Sequence, residues 1–175
     1  MTTTDAANTE LPTGTWQVDS DSSELGFGAR GMFGLVPVHG HFREFTGMLT
    51  VDPAGPRGEL RIQAASLDTH NTKRDEHLRS ADFFDVDAHP TVTFELTAVK
   101  PDLDGTLAVR GVLRIREHAL AVTTPVTVVA EGSNRLTLTT ALDVDRAAAG
   151  VGWSKLGMIK GKAHLSAKLS LTKQD

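Results

Sequence analysis

The strongest constraint in this sequence is a two-residue rhythm that recurs from Gly14 almost to the C-terminus. Between Thr106 and Arg116, Leu107, Val109, Gly111, Leu113 and Ile115 alternate with Thr106, Ala108, Arg110, Val112, Arg114 and Arg116. Successive side chains of a strand point to opposite faces, so this pattern predicts a half-buried β-strand. Arg135 to Asp145 repeats it with Leu136, Leu138, Thr140, Leu142 and Val144, and Lys162 to Thr172 with Ala163, Leu165, Ala167, Leu169 and Leu171. Further faces are Val92, Phe94, Leu96 and Ala98, then Leu60, Ile62 and Ala64, then Leu120, Val122, Val126 and Val128. Trp16 with Val18, and Leu25 with Phe27, predict two more strands.

Turn signals separate these runs at Asp52–Gly58, Asp102–Gly105 and Glu131–Asn134, where hairpins need short polar connections. Val36 to Val51 is long enough for a bent strand. Its alternation breaks between Phe42 and Phe45, which predicts a bulge near Arg43 and Glu44. One stretch, Thr72 to Ser80, reads as helix: Thr72 is placed to cap it, Asp75 suits its first turn, and Leu78 faces the fold. No linker divides the chain, so residues 14–175 read as one all-β domain behind a disordered N-terminal tail, residues 1–13. About eight antiparallel strands close naturally into a barrel, with the short helix near its end.

Composition now says what such a barrel holds. The chain has 175 residues, 18 Lys and Arg against 22 Asp and Glu, no Cys, no Tyr, and only 5% aromatics. Thiolate chemistry is excluded, scattered charges give no nucleic-acid footprint, and no apolar run is long enough for a transmembrane helix. The predicted inner faces carry small and aliphatic residues, among them Gly111, Ala64, Ala98, Ala163 and Ala167, with few rings to plug the middle. A barrel of about eight strands is just wide enough to be filled by side chains or to hold one small ligand. We infer a cavity from the pattern.

The same faces carry no carboxylate, Lys, Arg or His, so acid–base catalysis inside the barrel has no candidate; Thr124 and Thr140 are the polar side chains there. His39 and His41 share a face at a spacing compatible with metal ligation, although exposed or hydrogen-bonded histidines fit equally simply. His70, His77 and His89 lie near acidic residues around the helix, while His118 and His164 read as surface. Gly150 to Ile159, an irregular and partly apolar stretch, fits a lip at the barrel mouth or a packed crossover loop.

The helix region resembles the signature of a known family. Arg74-Asp75-Glu76-His77-Leu78-Arg79-Ser80-Ala81-Asp82-Phe83-Phe84-Asp85, followed by Pro90 to Phe94, is similar to the central motif of the YceI-like family. Trp16-Gln17-Val18-Asp19, Gly40 to Gly47, Thr124-Pro125-Val126 and Gly152-Trp153 match further elements. The resemblance implies an extended, lipocalin-like antiparallel barrel whose apolar pocket holds a polyisoprenoid, such as a quinone tail or polyprenyl lipid. It also implies a homodimer. Arg74 and Asp75 would anchor the helix as a lid, over Phe83 and Phe84. The chain departs from many relatives at Ser22-Ser23, at Ala29-Arg30, and at the turn Arg116-Glu117-His118, where relatives carry Gly.

Pattern and resemblance together lead to these expectations. The protein is a non-enzymatic binding, storage or transport protein for a long isoprenoid lipid, with no other cofactor and with transient membrane contact. Phe27, Phe42, Phe45, Met48, Leu60, Ile62, Phe94, Leu113 and Leu142 line the cavity. Phe33, Leu78, Phe83, Phe84, Trp153 and Met158 sit at its mouth or lid. The polar N-terminus has no basic start or apolar middle, which suggests a cytoplasmic location. The alternatives are a metal-dependent enzyme built on His39 and His41, and a protein-interaction module in stress response.

Overall fold

The structure is a computed structural model and describes residues 10–31, 36–146, 148–149 and 160–175. Its organising element is β1 (Gly14–Gly31), a strand long enough to serve two neighbours along one edge. The first part of β1 pairs with β3 (Phe45–Asp52) and its second part with β2 (Val36–Phe42), while β10 (Lys160–Gln174) runs along the other edge. β4 (Gly55–Gln63), β6 (Thr91–Pro101), β7 (Leu107–Ile115), β8 (His118–Glu131) and β9 (Arg135–Asp145) follow in antiparallel order from β3 round to β10. Eight strands thus close into a barrel, and β2 with the two-residue β5 (Leu67–Asp68) extends the sheet beyond it. Pairing β1 with β10 removes most of the free edge that an open sheet would offer to aggregation.

The two expected strands at the start are one. Between Asp19 and Glu24 the β1 register slips against Ser170 and Lys168, so β1 carries a bulge of extra residues there. Ser23 repairs the ladder with its side chain: its Oγ accepts the Ser170 N–H at 2.9 Å and donates to the Asp19 carbonyl at 2.6 Å. The predicted break between Phe42 and Phe45 is where β2 ends and β3 begins. Arg43 and Glu44 leave the ladder, which turns both rings inward; both are buried.

A second bulge lies in β6, where the alternation predicts none. Leu96 pairs with Gly111, but Ala98 pairs with Arg110, so Thr97 is the extra residue. The slip exchanges the two faces over the rest of the strand: Val99 faces in opposite Val109, and Ala98, expected inside, lies on the outer face beside Arg110. The interior splits into two packed ends. Trp16, Leu49, Leu107, Val128, Leu136 and Leu171 plug one end. Leu25, Phe42, Phe45, Ile62, Phe83, Val92, Leu113 and Val144 gather at the other, beneath the helix.

That helix, α1 (Thr72–Arg79), is one residue shorter than expected and is capped by Asn71, whose Oδ1 accepts the Arg74 N–H at 3.0 Å. Thr72 is therefore the first helical residue, and Asp75 is freed from any capping-box role. Among the described residues no helix is long and apolar enough to cross a membrane.

Candidate functional site

The inward faces of the closed strands enclose one elongated apolar cavity of about 360 Å³, within the range of roughly 300–1,000 Å³ typical of small-molecule sites. Val18, Phe27, Leu60, Phe94, Leu113, Val122, Leu142, Ala163, Leu165 and Ala167 form its walls. It reaches from Leu49, Leu107 and Leu171 at the plugged end to Leu78, Phe83 and Phe84 at the helix end. Small residues on β10 make the room. Ala163 and Ala167 present only methyl groups opposite Val144 and Thr140.

Of the expected site residues, Phe27, Phe42, Leu60, Ile62, Leu78, Phe83, Phe84, Phe94, Leu113 and Leu142 border the cavity. Phe45 does not: it is buried opposite Ile62 and packs in the wall. Met48 is corrected in part. It is among the residues that border the cavity, but it alternates with buried Gly47 and Leu49, pairs with Gln17 and Glu59, and is 52% exposed. Its side chain therefore stands on the outer face. Phe33, Trp153 and Met158 lie outside the described residues.

The helix end is built by a set of hydrogen bonds that hold α1 against the segment before it. Arg74 donates from Nε to the Thr69 hydroxyl and from its terminal nitrogen to the Thr69 carbonyl, both at 2.8 Å. Arg79 does the same for the carbonyls of Ala65 and Leu67, at 3.0 and 2.9 Å. Asp75 accepts from both the backbone N–H and the hydroxyl of Thr69. From the far side Arg116 donates to the carbonyl of Phe83 at 3.1 Å, holding the segment after the helix. Arg116 adopts a left-handed φ of 56°, a conformation that favours glycine. A glycine at this turn would forgo that guanidinium contact.

Rings continue from the barrel wall up to this cover. Phe27 and Phe42 lie 5.1 Å apart, and Phe84 meets Phe42 edge-on at 5.9 Å. The His77 ring stands edge-on to Phe83 and hydrogen-bonds Asp82 at 2.9 Å. Offset and edge-on contacts of this kind each add about 0.5–1.5 kcal/mol beyond the area they bury.

Polar groups at the cavity are few and mostly engaged. The Thr124 and Thr140 hydroxyls lie 2.7 Å apart, and Thr140 Oγ1 donates to the Pro125 carbonyl at 2.8 Å. Arg74 and His77 border the helix end. Arg146, beyond the strand faces read from the alternation, also lines the cavity; it is 5% exposed, and burial pushes its guanidinium pKa down. The sequence does carry a signal for it. Leu142 and Val144 alternate onto Arg146, one residue past the end of β9. Outside the barrel, His41 packs near His70 at 5.6 Å, and among the described residues no group of three or more His, Asp or Glu could hold a metal ion.

With this geometry in hand, comparison with known proteins places the chain. The model of the YceI-like domain matches residues 16–171. The chain belongs to the YceI-like family. Among curated proteins it is similar to a UPF0312 protein of Ectopseudomonas mendocina, with 38% identity over 97 residues, which is 54% of this chain and 49% of that one. The chain thus spans about half the length of the curated YceI-like relatives it matches. Among solved structures, Burkholderia cenocepacia BcnA superposes with a TM-score of 0.79 at 27% identity, covering 87% of this chain and 98% of that one. A polyisoprenoid-binding domain from Saccharophagus degradans superposes at 0.75 with 16% identity, covering 91% and 98%, which is a likeness of fold. The expected lipocalin-like barrel is therefore the YceI-like fold.

Proposed function

We propose that this protein binds and carries a long polyisoprenoid, such as a quinone tail or polyprenyl lipid, along the barrel interior. The observation that carries the reading is the cavity: it runs from the plugged end to the helix end and is walled by aliphatic side chains and Phe rings. Apolar burial at about 25 cal/mol per Å² supplies the affinity, with little hydrogen bonding. Support also comes from the family membership and from the Saccharophagus degradans domain of the same fold, which is described as polyisoprenoid-binding.

The ligand would lie against Phe27, Leu60, Phe94, Leu113 and Leu142, with Phe42, Leu78, Phe83 and Phe84 over its end. The reading includes no catalytic step, and it gives the Thr124 and Thr140 hydroxyls, which hydrogen-bond each other at the wall, a structural role. It extends to a cytoplasmic homodimer, checked by fractionation of native cells and by light scattering of the purified protein. Organic extraction of purified protein followed by mass spectrometry tests the central claim. Stoichiometric isoprenoid is the expected result. A protein that yields none, and takes up no long-tailed isoprenoid quinone from micelles, overturns it.

A further inference from the structure

The barrel is closed as a ring of strands but is not zipped along its whole height. β8 and β9 pair from Glu131 and Arg135 only as far as Val126 and Thr140. Beyond that point β8 continues for eight residues, His118 to Pro125, in register with β7 but not with β9. β9 continues from Ala141 to Asp145 bonded to β10 alone. Among the described residues no strand fills the wedge between them.

The sequence explains why the ladder stops there. Pro125 is the next residue of β8, and its backbone faces β9, since its carbonyl accepts from Thr140. Proline has no N–H to give, so the next rung loses its donor from β8. The Thr124 and Thr140 hydroxyls close the fork instead, with Thr124 Oγ1 also 3.4 Å from the Ala141 carbonyl. The hydroxyls satisfy groups that the missing rung would otherwise leave bare. The Thr124-Pro125 pair marks the place in the sequence.

We infer that the isoprenoid enters and leaves the barrel sideways, through this seam between β8 and β9. Both lips open onto the cavity, because Val122 on one side and Leu142 and Val144 on the other line it. The outer face of the β8 lip is Ala119, Ala121 and Thr123, all exposed and too small to obstruct a hydrocarbon chain. On the β9 lip the Asp143 carboxylate is drawn away from the seam, to His164 on β10 at 2.8 Å. A sideways slot lets a long chain slide in along its length. Entry at the helix end would require breaking the hydrogen bonds from Arg74, Arg79 and Arg116 that hold the cover.

This inference rests on the isoprenoid reading above, and the experiment separates the two. The chain has no cysteine, so a single introduced thiol is unique. Ala121→Cys receives a bulky methanethiosulfonate label on the β8 lip, removable by reductant. Thr46→Cys, on the exposed outer face of β3, receives the same label as control. Uptake of a long-tailed isoprenoid quinone from micelles is followed in time. The label at Ala121→Cys is expected to slow both uptake and release about tenfold while leaving equilibrium affinity unchanged, because a blocked passage alters both rates alike. Reductant restores the rate, and the Thr46→Cys label has no effect. Uptake at the unlabelled rate with the Ala121→Cys label in place overturns the seam. Unmodified protein that takes up no quinone overturns the carrier reading instead.

Discussion

Thr69 gives both its backbone N–H and its hydroxyl to a single oxygen, Oδ1 of Asp75, at 2.9 and 2.5 Å. Both residues are buried, so this carboxylate has been taken out of water in exchange for two charge-assisted hydrogen bonds. The contact ties the first turn of α1 to the segment leaving β5, and Arg74 reinforces it by bonding the same threonine. Asp75→Ala would leave the Thr69 donors buried without an acceptor. The expected loss is about 2–3 kcal/mol of unfolding free energy, measured by urea denaturation. A change below about 0.5 kcal/mol would show that the cover is not held by this pair.

Gly111 on β7 lies under the Phe94 ring. A Cβ there would sit 2.2 Å from Phe94 Cζ and 2.6 Å from the Glu95 carbonyl oxygen. Gly111→Ala must push the ring into the cavity, and overpacking of this kind costs about 1–3 kcal/mol. Calorimetry should show the lowered melting temperature, and quinone binding should weaken with it. An unchanged melting temperature would mean that the ring moves freely.

The opposite experiment fills empty space. Ala163 and Ala167 border the cavity, and Ala163→Leu with Ala167→Leu add apolar atoms where none stand now. Stability should hold within about 1 kcal/mol, since the new side chains enter a void rather than a packed core. Quinone capacity should fall sharply in the same sample. Retained capacity in a folded double variant would place the ligand elsewhere.

Asp68 should make the entry to α1 sensitive to acid. Its carboxylate accepts the His70 N–H at 2.8 Å and pairs with Arg43, and these two contacts, the backbone bond first, hold its pKa below the ordinary 3.8. A carboxyl whose folded pKa is depressed adds stability that is present above the unfolded pKa and is lost as pH falls through the folded one. Asp68→Asn should therefore be less stable than wild type at pH 5 to 7, and the gap should shrink below about pH 4. Denaturation midpoints across that range provide the measurement. A gap that does not vary with pH would assign the effect to packing.

Much of this arrangement is legible in the sequence because a closed barrel gives each strand one wet and one dry face. The alternation in β7, β9 and β10 names the inward residues of those strands, and the three-residue step from Phe42 to Phe45 gives away the break between β2 and β3. Local slips and residue type account for the rest. The bulge at Thr97 reverses the faces of β6 and leaves no mark in the pattern, since Leu96, Ala98 and Val99 are all apolar. Met48 looks like a wall residue by its apolarity, although its neighbours Gly47 and Leu49 already hold the inner face. Asn71 and Thr72 are both good caps, and the choice between them depends on where the preceding strand releases the chain. Arg146 continues the inward alternation of β9 beyond the last strand residue, where the pattern has no reason to persist. The seam has a visible cause in Pro125, but its consequence depends on which strand lies beside β8.

The pairing of β1 with β10 has a consequence for how the molecule comes into being. Thr15 meets Gln174, so the wall is completed by two strands that lie far apart in sequence. The run of pairs from β3 round to β9 can form without β10, but the closing join needs β1 and β10 together. Contacts that span nearly the whole chain make such folding slow. Until that join forms, the nascent sheet is an open trough with its greasy side bare. In that interval before β1 and β10 join, the sheet is at its most receptive to hydrocarbon, and most in need of shelter from its neighbours.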